Sequence, residues 1–367
     1  MAKALIAMSG GVDSAVSAYL MQQAGYDCIG CTMRLFENAD ANVSSEKSCC
    51  SLDDTEDARA VAHRLGMPHY VFNFTEEFRE TVIGKFIRCY QCGKTPNPCI
   101  ECNRYLKFEK LLERAAALGC DQLVTGHYAQ VVETDSGYEL RRGADPAKDQ
   151  SYVLYMLTQG QLAHIRFPLG GMTKQETRRL AEQLGFVNAH KHDSQDICFV
   201  PDGDYARVIQ AHTGETPVPG DFVDLQGNVI GRHQGIIHYT VGQRRGLGIA
   251  VGKPAYVCAL DVPQNRVVIG ENSDLFSDTC TVEQFNWIAG EPPETTVRCQ
   301  AKIRYRHPAQ PAVLTFTDRN TAVLKFDEPQ RAITAGQAAV CYDGETVLGG
   351  GEICSVPWQK TVQNAGI

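Results

Sequence analysis

Apolar and polar positions change rhythm a little past the middle of the chain. Up to about residue 200, short apolar runs alternate with longer helical patterns. Ala4–Met8, Cys28–Met33, His69–Phe72 and Gln122–Val124 read as strands. Ala15–Ala24, Thr55–Leu65 and Phe108–Leu118 read as helices, and Lys174–Leu184 as another that stops at Gly185. Strands alternating with helices predict a doubly wound α/β domain: a parallel sheet, helices on both faces, ligands at the carboxyl ends of the strands. Beyond about residue 205 the strands shorten and turn signals crowd in, as at Pro217-Val218-Pro219-Gly220 and Val262-Pro263-Gln264-Asn265. Tyr256–Leu260 and Val267–Gly270 predict a small β domain. Val297–Tyr305, Ala312–Phe316, Thr321–Phe326 and Ala338–Tyr342 predict a compact barrel after it. The expected division is residues 1–204, 205–272 and 273–358, with a frayed tail over 359–367.

Composition narrows the setting. At 367 residues and roughly 150 per domain, two or three cores fit. No apolar run approaches the ~18 residues that span a bilayer. Met1–Met8 is too short for a secretory signal and reads as a buried first strand. The expected location is therefore cytoplasmic, with no membrane partner. Fifteen cysteines in a reducing compartment argue against a disulfide framework. Metal binding, catalysis and burial compete for them. A net charge of −8 excludes a uniformly basic binder, so a nucleic-acid partner requires basic residues gathered on one face.

Ser9-Gly10-Gly11-Val12-Asp13-Ser14 carries the first chemistry. The string follows a predicted strand and precedes a predicted helix. Two glycines allow backbone N–H groups to turn toward an anion, Ser14 adds a hydroxyl donor, and the helix aims its positive end at the same place. The plainer reading is a tight capped turn, but the strand–turn–helix setting favours a phosphate site. The string lacks the Gly-Lys-Ser/Thr ending of the ordinary P-loop.

Two further strings hold cysteines in polar surroundings: Gly93-Lys94-Thr95-Pro96-Asn97-Pro98-Cys99-Ile100-Glu101-Cys102-Asn103 and Asp193-Ser194-Gln195-Asp196-Ile197-Cys198-Phe199. Pro96 and Pro98 predict a rigid extended loop that presents Cys102. Cys89-x-x-Cys92 upstream invites a structural zinc reading, although the six-residue spacer to Cys99 is short for one. Cys49-Cys50 reads as the approach to a helix capped by Asp53 or Asp54. Cys28, Cys31, Cys120, Cys258, Cys280, Cys299, Cys341 and Cys354 read as small core residues.

The glycine string resembles the pyrophosphate loop of the ATP pyrophosphatase (PP-loop) superfamily. The ordered set Ser9–Ser14, Thr95–Asn103, Lys148–Tyr152, Asp193–Phe199, Lys302–Arg306 and the ending Gly344…Gly349-Gly350-Gly351 resembles the bacterial tRNA-specific 2-thiouridylase family over roughly residues 3 to 357. That resemblance implies a PP-loop α/β domain, ATP as substrate, Mg²⁺ on its phosphates, and replacement of the C2 oxygen of the wobble uridine by sulfur. It implies ATP contacts at Ala7, Met8, Ser9, Gly10, Gly11, Val12, Asp13, Ser14, Met33 and Gly126. Cys198 would carry a persulfide, and Cys102 would be the nucleophile that later forms a disulfide with it. Asn97, Pro98 and Cys99 would border the target base; His127, Lys148, Asp149, Gln150, Arg304, Tyr305 and Gln337 would touch tRNA. The implied partners are tRNAs for Lys, Glu and Gln, and a cysteine desulfurase or sulfur-relay protein.

Chemistry also asks for such a pair: sulfur displacing an activated oxygen needs a thiol-level nucleophile, and a spent persulfide needs a second thiol. Cys99 departs from family members that have Asp there, and with Cys102 and Cys198 it makes a rival ligand set for a [4Fe–4S] cluster. Two other rivals are a PP-loop small-molecule synthetase and a metal- or cluster-storing module. Lys302, Arg304 and Arg306, interleaved with Tyr305, would share one face of a strand suited to RNA, with Arg141-Arg142 and Arg244-Arg245 extending the basic track.

Overall fold

A computed structural model of the chain describes residues 1–36, 52–191, 197–249, 252–292 and 294–356. Cys49, Cys50, Asp193, Ser194, Gln195, Asp196 and the 359–367 tail lie outside the described residues. The amino-terminal strands are β1 (Lys3–Ala7), β2 (Asp27–Arg34), β3 (His69–Asn73) and β4 (Gln122–Val124). A hairpin follows, β5 (Ala129–Thr134) and β6 (Gly137–Arg142), and then β7 (Ile165–Arg166). Among the described residues β3-β2-β1-β4-β7 form one parallel sheet. Its order reverses between β1 and β4, which puts a ligand crevice at their carboxyl ends. Ala4, Leu5 and Ile6 of β1 are fully buried, as a central strand covered on both faces must be.

Two apolar layers hold this sheet. One, with Met8, Val12, Ala15, Val16 and Ala18, seats the helix Val12–Gln23; small residues on that helix let it lie close to the strands. The other is aromatic, with Phe74, Phe78, Phe86, Phe108 and Phe199. Burying each such ring contributes about 1.5–3 kcal/mol. The same layer continues into Val340, Tyr342 and Val347 near the carboxyl end, so the first and last domains share a core.

The helix Tyr205–Thr213, capped by the Asp204 side chain, opens the middle domain. Strands β8 (Gly220–Val223), β9 (Val229–His233), β10 (Tyr256–Asp261) and β11 (Arg266–Gly270) form a small sheet in the order β10-β11-β8-β9. The last domain holds β12 (Phe276–Trp287), β13 (Thr296–Lys302), β14 (Gln310–Phe316), β15 (Ala322–Arg331), β16 (Ala338–Asp343) and β17 (Thr346–Ser355). These close into a six-stranded barrel through pairing of β12 with β17. The β5–β6 hairpin belongs by sequence to the first domain but joins this sheet through Arg141 opposite Thr346.

Three local expectations are corrected. Pro98 does not extend a loop: it opens a helix, because its missing N–H costs nothing in the first turn and Asn97 caps the end by accepting from Cys99 N–H at 3.2 Å. The helix expected from Phe108 therefore begins ten residues earlier. It runs α-helical over Pro98–Glu101, π-helical over Cys102–Lys110 and α-helical again over Leu111–Ala117. Lys302, Arg304 and Arg306 do not share a strand face, because β13 stops at Lys302 and the chain turns, with His307 N–H donating to Arg304 O at 3.1 Å.

Candidate active site at the sheet switch point

The turn after β1 is built to face an anion. The helix Val12–Gln23 starts at Gly11, and its amino end has no side-chain cap among the described residues, so first-turn N–H groups stay directed at the crevice. Gly10 takes φ +71°, and a Cβ on it would come within 2.7 Å of Asp54 Cα, so glycine is required there on both counts. The Ser14 hydroxyl donates to Gly11 O at 3.0 Å and accepts from Ser9 N–H at 3.2 Å, so it shapes the loop in this state. The buried Asn188 side chain braces the turn by donating to Gly10 O at 3.0 Å.

Asp13 is tied across the crevice. Lys174 Nζ lies 2.7 Å from both its oxygens, and the Tyr128 hydroxyl donates to Oδ1 at 2.8 Å. The sequence reading missed Lys174, Asn188 and Tyr128. A mild signal was present for Lys174: a lysine in the first helical position after the Thr173–Glu176 capping box opposes the helix dipole.

A cleft of about 990 Å³ opens from this turn. Ligand pockets usually span about 300–1,000 Å³, so there is room for a nucleotide and part of a second. Its nucleotide end includes Ala7, Met8, Ser9, Gly11, Val12, Asp13, Ser14, Met33 and Gly126. Cys99, Cys102 and Cys198 line the same cleft, as do Pro98, His127, Lys148, Asp149, Gln150 and Tyr305. Cys99 is exposed, and Cys102 and Cys198 are half-buried. Packing sets the last two. Asn103, beside Cys102, is buried and donates to Val153 O at 3.0 Å. Phe199, beside Cys198, is buried edge-on against Phe78 and Phe86, with centroids 5.7 and 5.2 Å away.

Four expected residues do not line the cleft: Gly10, which shapes the turn behind it, and Arg304, Gln337 and Asn97. Arg304 turns its guanidinium to Ala332 O at 2.8 Å and Thr334 Oγ1 at 2.7 Å. Gln337 donates to Thr95 O at 2.8 Å, and Asn97 lines a separate small cavity with it. The far cleft wall instead adds Lys302, Arg306 and Arg142. Lys302 Nζ stands 5.8 Å from the Tyr152 ring centre and 6.0 Å from that of Tyr305; burial lowers its pKa, against the pull of Asp149. Burial also raises the Tyr305 phenol, with Asp149 and Cys99 adding to the effect. Asp149 accepts from Ser151 N–H and Oγ, both at 3.0 Å, and Gln150 Oε1 accepts from Tyr128 N–H at 2.9 Å. His127 is enclosed by Phe108 and Phe167 and sits 2.6 Å from Thr125 Oγ1; burial, then Lys107, pushes its pKa well down.

Of the eight thiols expected in the core, six are buried and two, Cys120 and Cys354, are half-buried. Cys28, Cys31, Cys258, Cys280, Cys299 and Cys341 are buried, and burial pushes Cys258 and Cys280 up to about 12. Cys89 is buried while Cys92 is exposed. Among the described residues no group of three or more His, Cys, Asp or Glu side chains converges to hold a metal. As placed, Cys99, Cys102 and Cys198 line one cleft without converging as a set of three metal ligands. Mg²⁺ carried on nucleotide phosphates asks less of the protein. Asp13 and Asp54 line that end of the cleft. The contacts from Lys174 and Tyr128 take three of about four acceptor positions on Asp13, and Lys191 Nζ stands 2.6 Å from Asp54 Oδ1, so these carboxylates fit an ion carried mainly by the nucleotide phosphates and not one held by the protein alone.

A glycine-turn anion cradle at the switch point of a parallel sheet, facing thiols and a basic, aromatic wall, defines an ATP-using enzyme of the PP-loop class. Residues 2–202 match the family model described as tRNA methyl transferase HUP domain, residues 206–271 the tRNA methyl transferase PRC-barrel domain, and residues 277–353 the Aminomethyltransferase beta-barrel domain. The chain is 48% identical over 355 residues to the tRNA-specific 2-thiouridylase MnmA of Lachnoclostridium phytofermentans, covering 96% of this chain and 99% of that one. It is 49% identical over 349 residues to that of Magnetococcus marinus (95% and 98% covered) and 49% over 352 residues to that of Acidithiobacillus ferrooxidans (96% and 98%). The chain belongs to the tRNA-specific 2-thiouridylase family. The domain descriptions speak of methyl transfer and the relatives' names of thiolation; thiols beside a nucleotide loop agree with the latter. No helix among the described residues is long and apolar enough to cross a membrane.

Proposed function

We propose that this enzyme is a tRNA-uridine 2-sulfurtransferase working in the cytoplasm, with Cys198 as sulfur carrier and Cys102 as resolving nucleophile. The observation that carries the reading is the shared cleft: Ser9 and Gly11 to Ser14 of the turn, both cysteines, and Lys302 and Tyr305 of the wall line one cavity. The turn holds the ATP phosphates; Asp13 and Asp54 line that end of the cleft and would face a Mg²⁺ carried on the phosphates, which would supply charge neutralisation there. The uridine O2 attacks the α-phosphate, pyrophosphate leaves, and the oxygen becomes part of an AMP leaving group. The terminal sulfur of the Cys198 persulfide bonds to C2, and the C2–O bond breaks to release AMP. The Cys102 thiolate then attacks Cys198 Sγ. The S–S bond to the delivered sulfur breaks, 2-thiouridine departs, and a Cys102–Cys198 disulfide forms, which a dithiol reduces. Gly126 gives the nucleotide close approach, and Pro98 and Cys99 border the base, with Asn97 acting as the cap that sets their helical turn. His127, Lys148, Asp149, Gln150 and Tyr305 serve tRNA from the cleft; Gln337 serves it indirectly by tying the barrel to Thr95, and Arg304 by bracing Ala332 and Thr334 within the barrel. The wobble base must leave its stack to enter. The expected substrates are tRNAs for Lys, Glu and Gln, with a cysteine desulfurase or relay protein as donor.

The test is mass spectrometry of tRNA after incubation with protein, Mg-ATP and a sulfur donor. Wild-type protein is expected to yield 2-thiouridine and AMP. Cys102→Ser and Cys198→Ser are each expected to abolish the product while ATP binding persists. Normal thiolation by either variant would end the two-cysteine scheme.

A further inference from the structure

A carboxylate of the barrel reaches the thiol-bearing helix. Glu352, on β17, places Oε2 3.1 Å from Lys85 Nζ and Oε1 3.1 Å from Lys94 Nζ. The same Lys85 ammonium stands 2.8 Å from Glu101 Oε1, and Glu101 directly precedes Cys102. The network is sheltered, with side-chain exposures of 26% for Lys85, 19% for Glu352 and 8% for Glu101. Glu101 Oε2 is buried and has no hydrogen-bond partner among the described residues, so Lys85 is the main support of that charge. Burial opposes the charge on Lys85, yet Glu101 and Glu352 outweigh it and raise its pKa. Burial likewise opposes the charge on Glu352, and Lys85 and Lys94 still hold its carboxyl below the usual range.

Two backbone ties run beside these ion pairs. Thr95 N–H donates to Ala335 O at 2.8 Å, and Gln337 Nε2 donates to Thr95 O at 2.8 Å. The strap so held passes into Asn97, the cap of the Cys99–Cys102 turn. Glu352, Lys85, Glu101 and Arg104 line a small cavity of their own, and Glu352 is not part of the cleft wall. A change at Glu352 therefore removes no contact to nucleotide or base.

We propose that Glu352 is a positioning residue for sulfur transfer: through Lys85 and Glu101 on one side and Lys94 on the other, the barrel sets the helical turn that presents Cys99 and Cys102 to the cleft. This rests on the sulfur-transfer reading above. Removing the carboxylate leaves Lys94 without that partner and Lys85 with Glu101 alone. Breaking a sheltered pair disturbs local geometry more than it changes a surface charge. Reaction rates respond steeply to small displacements of reacting groups.

The test compares wild type with Glu352→Gln, which keeps the shape and loses the charge, and Glu352→Ala, which loses both ties. Single-turnover formation of 2-thiouridine from persulfide-loaded full-length enzyme is followed at varied tRNA and ATP, with AMP release and alkylation of Cys102 by iodoacetamide in parallel. The transfer rate is expected to fall roughly tenfold in Glu352→Gln and up to roughly a hundredfold in Glu352→Ala. KM for tRNA and ATP should hold, and the alkylation rate of Cys102 should shift in step with transfer. Combined with Glu101→Gln, the losses should be less than additive, since both act through Lys85. An unchanged transfer rate in folded Glu352→Ala overturns the proposal, as does a loss residing wholly in the KM for tRNA. Identical Cys102 alkylation in wild type and variants overturns it whatever the turnover result. Failure of wild type to form any 2-thiouridine would instead defeat the sulfur-transfer reading.

Discussion

The ammonium of Lys174 lies 2.7 Å from each carboxylate oxygen of Asp13, joining residues 161 apart in sequence. The pair is largely enclosed, with side-chain exposures of 10% for Lys174 and 31% for Asp13. It places a positive charge at the anion-facing turn, where phosphate charge must be met during adenylation. Lys174→Ala is expected to slow pyrophosphate release by about 10²–10³-fold, with tRNA binding retained. A pyrophosphate-release assay beside a tRNA-binding titration checks both, and undiminished release would remove Lys174 from the nucleotide site.

Gly126, just beyond the carboxyl end of β4, supports the same turn. A Cβ there would stand 3.0 Å from Asp13 C, Asp13 Cβ and Ser14 N, with backbone as two of the three obstacles. Gly126→Ala should therefore push the turn out of place, costing about 1–3 kcal/mol of stability and weakening ATP binding. Urea unfolding and calorimetric ATP titration measure the two effects; a variant equal to wild type in both would show that the turn relaxes freely.

Tyr305 is the aromatic surface beside Cys99 at the cleft wall. If it stacks on the displaced base, Tyr305→Ala should weaken tRNA binding by about 1–3 kcal/mol, whereas Tyr305→Phe keeps the ring and most of the affinity. Filter binding at fixed salt distinguishes the two substitutions, and equal losses would assign the effect to the hydroxyl.

His127 makes acid stability a test of burial. Its folded pKa is held well below the ordinary histidine value by its apolar enclosure and by Lys107. The unfolded chain takes up a proton near pH ~6.5. The contribution of a neutral His127 is thus fully present above that pH and is lost as pH falls toward the depressed folded value, by at most about 1.4 kcal/mol per pH unit. His127→Asn should be less stable at neutral pH but lose less on acidification, read from urea midpoints at both pH values. Parallel losses in the two proteins would place the acid sensitivity elsewhere.

Much of the site was legible because its signals are local. The Ser9–Ser14 string needs only a strand before it and a helix after it, and β1 and Val12–Gln23 supply them. Cys102 and Cys198 stood out as thiols in polar strings, and both line the cleft. The strand reading of Lys302–Arg306 failed because alternation along a sequence does not report where a ladder ends; β13 loses its β16 partner after Lys302. Arg304 shows the same limit, since nothing near it in sequence announces Ala332 and Thr334 as its acceptors.

By itself, the sequence determined the alternation of strands and helices, the glycine turn between a strand and a helix, and two thiols each set in a polar string, because each of these features depends on residues within a few positions of one another. Tertiary structure alone decided that Lys174 meets Asp13, that the β5–β6 hairpin joins the barrel, and that Glu352 stands behind Cys102. Those relations depend on which buried faces pack together. Ion pairs and shared sheets between distant segments are consequences of that packing and leave no periodic trace along the chain.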